Sequence, residues 1–260
     1  MDEDTGYDWR LEALATLAQA VPPAFPGGPS FKPGDKIMLT SMAMAPSGHQ
    51  IAFSTPSSTA LSLNIAIRAA SEANKIKTDF LYLPGPSPSG TAYNVLAGGQ
   101  VGPIFDYFEQ CILASTFSFQ SLESFCNHII SRRLNSPLKI RRHRILEEMS
   151  PDDIQRKLST RDKLNRVLPQ ILKTASPKNR PLWRRFSKLQ SIRDAAIHLK
   201  GHDQYPQAGV TEEPLFHRLL NLDPSEFPET AIVVLKHFYR SKDEYPRWLR
   251  LAPGASNQEP

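Results

Sequence analysis

Between residues 104 and 129 apolar side chains return every three or four positions: Ile104, Phe108, Cys111, Ile112, Phe119, Leu122, Cys126 and Ile129. That spacing keeps one face of an α-helix apolar over about seven turns. Phe105, Tyr107, Phe117 and Phe125 widen the face. The pattern predicts a long helix, apolar enough to be the central element of a bundle. A second pattern starts at Leu182, where Leu182, Phe186, Leu189, Arg193 and Ala196 recur at three and four, with Trp183, Gln190 and Ile197 beside them. Gly201 stands where this helix is expected to stop. Arg193 is the misfit on the stripe. An arginine there is costly unless a partner or a ligand phosphate takes it up.

Weaker patterns fill in the rest. Asp8 is expected to cap a short amphipathic helix carrying Trp9, Leu11, Leu14, Leu17 and Val21. Five prolines and three glycines between Pro22 and Gly34 then break all periodicity and read as an arm. Residues 36–40 and 50–54 read as two strands turning at Pro46-Ser47-Gly48. Residues 59–75 look helical, with Leu61, Ile65, Ile67 and Ala70 on the stripe, and residues 83–90 form a second Pro/Gly loop. Ser150-Pro151-Asp152-Asp153 has the cap, proline and acids of a helix start. Ser159-Thr160 restarts a helix through Leu164, Val167, Leu168, Ile171 and Leu172, in which Pro169 should make a kink or break. Thr211 is expected to cap a helix with Leu215, Phe216, Leu219 and Leu220. Residues 225–228 open a last helix with Ile232, Leu235 and Phe238. Trp248 then anchors a packed tail, and the final GASNQEP reads as disordered. The fold class is therefore mainly all-α: a helical bundle with an N-terminal Pro/Gly-rich extension that holds a short β-hairpin. The chain divides into a helix and arm (1–35), a small extension (36–99), the main helical domain (100–250) and a tail (251–260).

Composition narrows the function. No window reaches the eighteen or so apolar residues of a membrane span, and the acidic start MDEDTG lacks the basic and apolar regions of a signal peptide. Cys111 and Cys126 fall on one predicted helix more than about 20 Å apart, too far to bridge. That usage suits a reducing cytoplasm. No Cys/His cluster has metal-binding spacing, so neither metal nor cofactor is expected. Gly99-Gln100-Val101-Gly102 lacks the downstream Gly-Lys-Ser/Thr of a phosphate loop.

Charge is unevenly spread. Residues 131–200 hold 19 of the 31 Lys and Arg but 6 of the 26 Asp and Glu. A basic middle between acidic flanks predicts a polyanion partner, against the plainer alternative of a solvated face. For RNA, the candidate contacts are Arg132, Arg133, Arg141, Arg142, Arg144, Arg184, Arg185, Lys188 and Lys200.

Arg193, polar Asp194, three small or apolar residues and then His198 form a compact pattern at the end of the second helix. It resembles the Arg-polar-x-x-x-His motif of the HEPN family (higher eukaryotes and prokaryotes nucleotide-binding). Glu123-Ser124-Phe125-Cys126-Asn127 resembles part of that family's long first helix, and residues 100–250 are similar to it in layout. The resemblance implies an all-α domain acting as a metal-independent endoribonuclease in a toxin–antitoxin or antiphage system. Its other implication is a catalytically silent module that binds a nucleotide, RNA or a partner protein. It implies a symmetric homodimer with a composite cleft, and for a toxin, an antitoxin protein.

The chemistry fits those residue types. A histidine can take the 2′-hydroxyl proton, an arginine fork can hold charge on the phosphorane oxygens, and Asp194 would orient either one. Five residues on a helix turn through about 500°, so Arg193 and His198 diverge by roughly 140°. Either the helix loosens near Gly201, or two chains each contribute a pair. The plain readings are a histidine at a helix C-terminus for His198 and an ion pair with a neighbouring helix for Arg193. His202 extends the site or sits in the loop; His49, His128, His143, His217 and His237 show no partner in sequence. A third reading, a helical DNA- or RNA-binding protein in which the motif is coincidental, has no recognition-helix signature behind it.

Overall fold

Two long helices, α1 (Ser58–Asp79) and α2 (Val101–Arg133), lie along each other at the centre of the computed structural model. The structure describes residues 7–23, 28, 30–79, 99, 101–142, 145–204 and 213–255, with backbone only for Arg142, His202 and Gln204. Arg144, His143, the 83–90 loop, Thr211 and all but the first two residues of the GASNQEP tail lie outside the described residues.

The long helix α2 forms as expected and buries Tyr107, Cys111, Phe119, Leu122, Phe125, Cys126 and Ile130, but Ile104, Phe108, Ile112 and Ile129 are only partly buried and Phe105, expected on the apolar face, is exposed. In α1 the face differs from the expected one. Leu61 and Ile65 are exposed, while Leu63, Ala66, Ala69, Ala70 and Ala73 are buried. Small side chains let two helices approach closely, so here the alanines rather than the bulkier residues mark the seam. The side chain of Lys77 donates to the carbonyls of Leu220 and Leu222, each at 3.1 Å, and Asn74 Nδ2 donates to Ser225 Oγ at 2.7 Å. The helix of the 36–99 segment thus shares one core with the helices that follow it.

Ser150 caps α3 (Pro151–Lys157) by accepting the Asp153 N–H at 3.1 Å, and Ser159 caps α4 (Thr160–Asp162) in the same way from Asp162. A wide π turn, Lys163–Val167, leads into α5 (Leu168–Leu172). Pro169 explains it. Proline has no N–H to donate and crowds the carbonyl four residues back, and the wider turn relieves both without breaking the helix. Within the turn Lys163 is 1% exposed, its ammonium donating to Gln155 O at 2.7 Å and Asn127 Oδ1 at 2.9 Å.

α6 (Pro181–Ile197) packs on α2 through Phe186, whose ring stacks on Phe119 at 6.1 Å. It buries Leu182, Trp183, Phe186, Leu189 and Ile192. It ends at His198, whose N–H still reaches Asp194 O at 2.9 Å. Gly201 does not close it. Gly201 instead opens α7 (Gly201–Gln204), whose start is fixed by Asp203 accepting the Lys200 N–H at 2.9 Å, half of a capping box. α8 (Leu215–Leu220) and α9 (Glu226–Lys236) follow. α9 is buried nearly all round, and α10 (Arg247–Leu251) holds the buried Trp248 expected as the anchor.

The strands depart most from expectation. No helix forms over residues 9–21. β1 (Leu14–Thr16) pairs there with β2 (Lys36–Met38), antiparallel, and the Val21–Phe31 bridge continues the ribbon toward the Pro/Gly arm. A short isolated helix is marginal, and pairing with a distant strand overrides it. Asp8 accepts the Arg10 N–H at 2.9 Å and pairs with its guanidinium, holding a turn rather than a helix start. The expected hairpin exists, but its first strand is β3 (Thr40–Met44), paired with β4 (Gln50–Ser54). Gly48, at a φ of 81°, supplies the left-handed turn residue. Within the basic stretch, β5 (Leu138–Arg142) and β6 (Ile145–Met149) form a hairpin the charge pattern hides. At the far end Arg247 donates to the main-chain oxygens of Tyr7 at 2.7 Å and Asp8 at 2.8 Å.

Candidate nucleic-acid interface

The end of α6 opens onto a groove of about 650 Å³. Asp194 and His198 line it together with Lys200, Arg161 and Arg218, and Ser187, Gln190 and Ser191 form the polar floor. His198 is exposed and its ring makes no hydrogen bond among the described residues. Arg161 is held in place. Its guanidinium carbon lies 5.0 Å from the Trp183 ring, with Nη1 donating to Gln190 Oε1 at 2.9 Å and Nη2 to Ser187 Oγ at 3.2 Å. Arg218 Nη2 donates to Ser191 Oγ at 2.9 Å. Two guanidiniums are therefore fixed along one face of α6, leaving donors to spare for an anion.

Arg193 is elsewhere. Its guanidinium carbon sits 4.8 Å from the centre of the Phe119 ring, and Nη1 donates to Asp194 Oδ1 at 3.0 Å. The side chain is 25% exposed and does not line the groove. The divergence expected from helical spacing is real: within one chain the groove brings together Asp194, His198 and Lys200, and leaves Arg193 out. The neighbouring helix offers Arg193 an aromatic face, and its acid is the adjacent residue.

The remaining basic candidates scatter. Arg185 pairs with Glu229 at 3.4 Å and Lys188 with Glu226 at 2.7 Å, so both spend charge on α9. Arg184 and Arg141 are exposed away from the groove, and β5 carries the backbone of Arg142. Arg132 and Arg133 lie on the last turn of α2, at a different and larger cavity. Sequence reasoning missed Arg161 and Arg218. No periodicity signals them, because two separate helices, α4 and α8, deliver them to the end of α6.

The larger cavity, about 880 Å³, is floored by Phe125, Phe238 and Trp248 and rimmed by Arg132, Arg133, Lys173 and Arg240. His128, read from sequence as partnerless, has its Nε2 3.3 Å from Glu12 Oε1. Burial pushes the nearby Tyr239 hydroxyl well above its ordinary range.

Among the described residues no group of His, Cys, Asp and Glu is placed to hold a metal ion, and no helix is long and apolar enough to cross a membrane. No family model, no curated protein and no solved structure matches this chain.

Proposed function

We propose that this protein binds RNA through the groove at the end of α6, as a HEPN-like helical module of the catalytically silent kind. The observation that carries this reading is the convergence of His198, Lys200, Arg161 and Arg218 on one open groove while Arg193 is engaged on Phe119. Cations with spare donors along a groove suit a phosphate backbone. Fluorescence anisotropy with a short single-stranded RNA tests it. Affinity should fall steeply between roughly 50 and 200 mM salt as counterions are released. Replacing Lys200 and Arg218 together by glutamine should weaken it further. A flat salt response, or wild-type affinity in that double variant, rejects the reading.

A second reading, the metal-independent endoribonuclease of a toxin–antitoxin or antiphage system, has its own support. His198 is exposed, its ring has no partner among the described residues, and it is flanked by Ile197 and Leu199, both more than 40% exposed. Apolar residues on either side of such a histidine suit a homodimer interface in which a second copy completes the site. In that reading His198 is the acid or base, Arg193 of one copy serves the other, and an antitoxin protein covers the cleft. Cleavage leaving a 2′,3′-cyclic phosphate in the presence of a chelator, and lost in His198→Ala, selects it over the silent module. The two buried free cysteines, Cys111 and Cys126, support a cytoplasmic setting for either.

A further inference from the structure

Four cations converge on the larger cavity from three different elements. Arg132 and Arg133 come from the end of α2, Lys173 from the residue that closes α5, and Arg240 from the connection between α9 and α10. Two arginines at a helix C-terminus are ordinary, since they complement the dipole. That account does not reach Lys173 or Arg240. Among the described residues no carboxylate pairs with any of the four side chains. Two carboxylates share the rim, Glu12 beside His128 and Glu244 accepting the main-chain N–H of Arg240 at 3.0 Å, and they leave the four cations in excess. Clustered like charges repel, so their collection around a concavity calls for an anion.

The cavity offers more than charge. Its volume of about 880 Å³ falls within the range of roughly 300–1,000 Å³ typical of small-molecule sites. Ile129, Ile171 and Leu172 give it an apolar wall. Tyr239 stands beside Arg133, and burial keeps its hydroxyl protonated and able to donate.

We propose that this cavity binds an organic phosphate monoester of nucleotide size, its phosphate held by Arg132, Arg133 and Arg240 and its body against Ile129, Ile171 and Leu172. The site is separate from the α6 groove and does not depend on that groove binding RNA. The phosphate comes either from a free mononucleotide or from the 5′ end of an RNA, and the two sources are separable.

Calorimetric titration of the full chain with adenosine 5′-monophosphate, with adenosine, and with a short RNA bearing a 5′-phosphate or a 5′-hydroxyl tests it. Adenosine 5′-monophosphate should bind at least about tenfold more tightly than adenosine, the scale of one hydrogen bond to a charged group. Arg133→Gln with Arg240→Gln should remove that preference, while Lys200→Gln with Arg218→Gln in the other groove should leave it intact. Both arginines are exposed, and an unchanged melting curve confirms that the variant is folded. Binding of the 5′-phosphorylated RNA alone assigns the phosphate to an RNA end and keeps the proposal. Measurable binding of nucleotide and nucleoside with equal affinity, equal binding of the 5′-phosphate and 5′-hydroxyl RNAs with no binding of the nucleotide, or full binding by the Arg133/Arg240 variant overturns it.

Discussion

The guanidinium of Arg193 rests on the ring of Phe119, 4.8 Å from its centre. The contact joins α6 to α2 and explains how an arginine is tolerated on an otherwise apolar stripe: its charge meets the negative face of a ring, and Asp194 completes the pairing at 3.0 Å. Arg193→Ala should therefore cost about 1 kcal/mol of stability, the middle of the range for a partly buried cation–π pair. Most of that cost should vanish in a Phe119→Leu background. Urea denaturation of the four proteins in this double-mutant cycle measures the coupling, and additive effects would show the contact to be idle.

Lys200→Gln and Arg218→Gln should each lower the slope of log affinity for RNA against log salt by about 1, the signature of one lost phosphate contact. Lys188→Gln should leave that slope unchanged, because Lys188 is already committed to Glu226.

Lys163 ties three parts of the chain together from inside the π turn. Lys163→Met keeps the length of the side chain but strands Gln155 O and Asn127 Oδ1, so stability should drop by about 2–3 kcal/mol, the cost of leaving buried acceptors unpaired. Thermal and urea unfolding read this directly.

Alkaline pH should destabilise the protein. Burial pushes the Cys111 thiol from its ordinary value of 9.0 up to about 12, and Cys126 shifts the same way. The folded state then holds protons that the unfolded state has lost. The contribution is whole below pH 9 and disappears as pH rises from there toward about 12. The decline should approach 1.4 kcal/mol per pH unit for each thiol. Lys163 opposes it, because burial lowers its pKa and so favours folding as pH rises through the same region. Cys111→Ala should flatten the decline between pH 9 and 11, measured by urea titration under reducing conditions.

What was legible in the sequence was local. The stripe of α2 reports its own helix, and Ser150 and Ser159 announce the starts of α3 and α4 through hydrogen bonds that span three residues. Pro169 signals a disturbance, though not its form. The misread segments depend on partners far away in the chain. β1 is a strand because Lys36–Met38 lies beside it. The seam of α1 is set by how closely α2 approaches, so its alanines outrank Leu61 and Ile65. The candidate site divides in the same way. Asp194, His198 and Lys200 are neighbours in sequence and in space, whereas Arg161, Arg218 and the Glu12–His128 pair meet only after folding.

Arg247 holds the carbonyls of Tyr7 and Asp8, groups some 240 residues earlier in the chain. Contacts of such separation form slowly, because a long loop must close before they bring any return. Synthesis runs from the N-terminus, so the β1–β2 ribbon leaves the ribosome long before its clasp exists. The stretch at Tyr7 and Asp8 is thus fastened late, after the strands behind it can already be tied to the start of α1 by the Leu11–Pro56 bridge and the Ser57 N–H on Arg10 O.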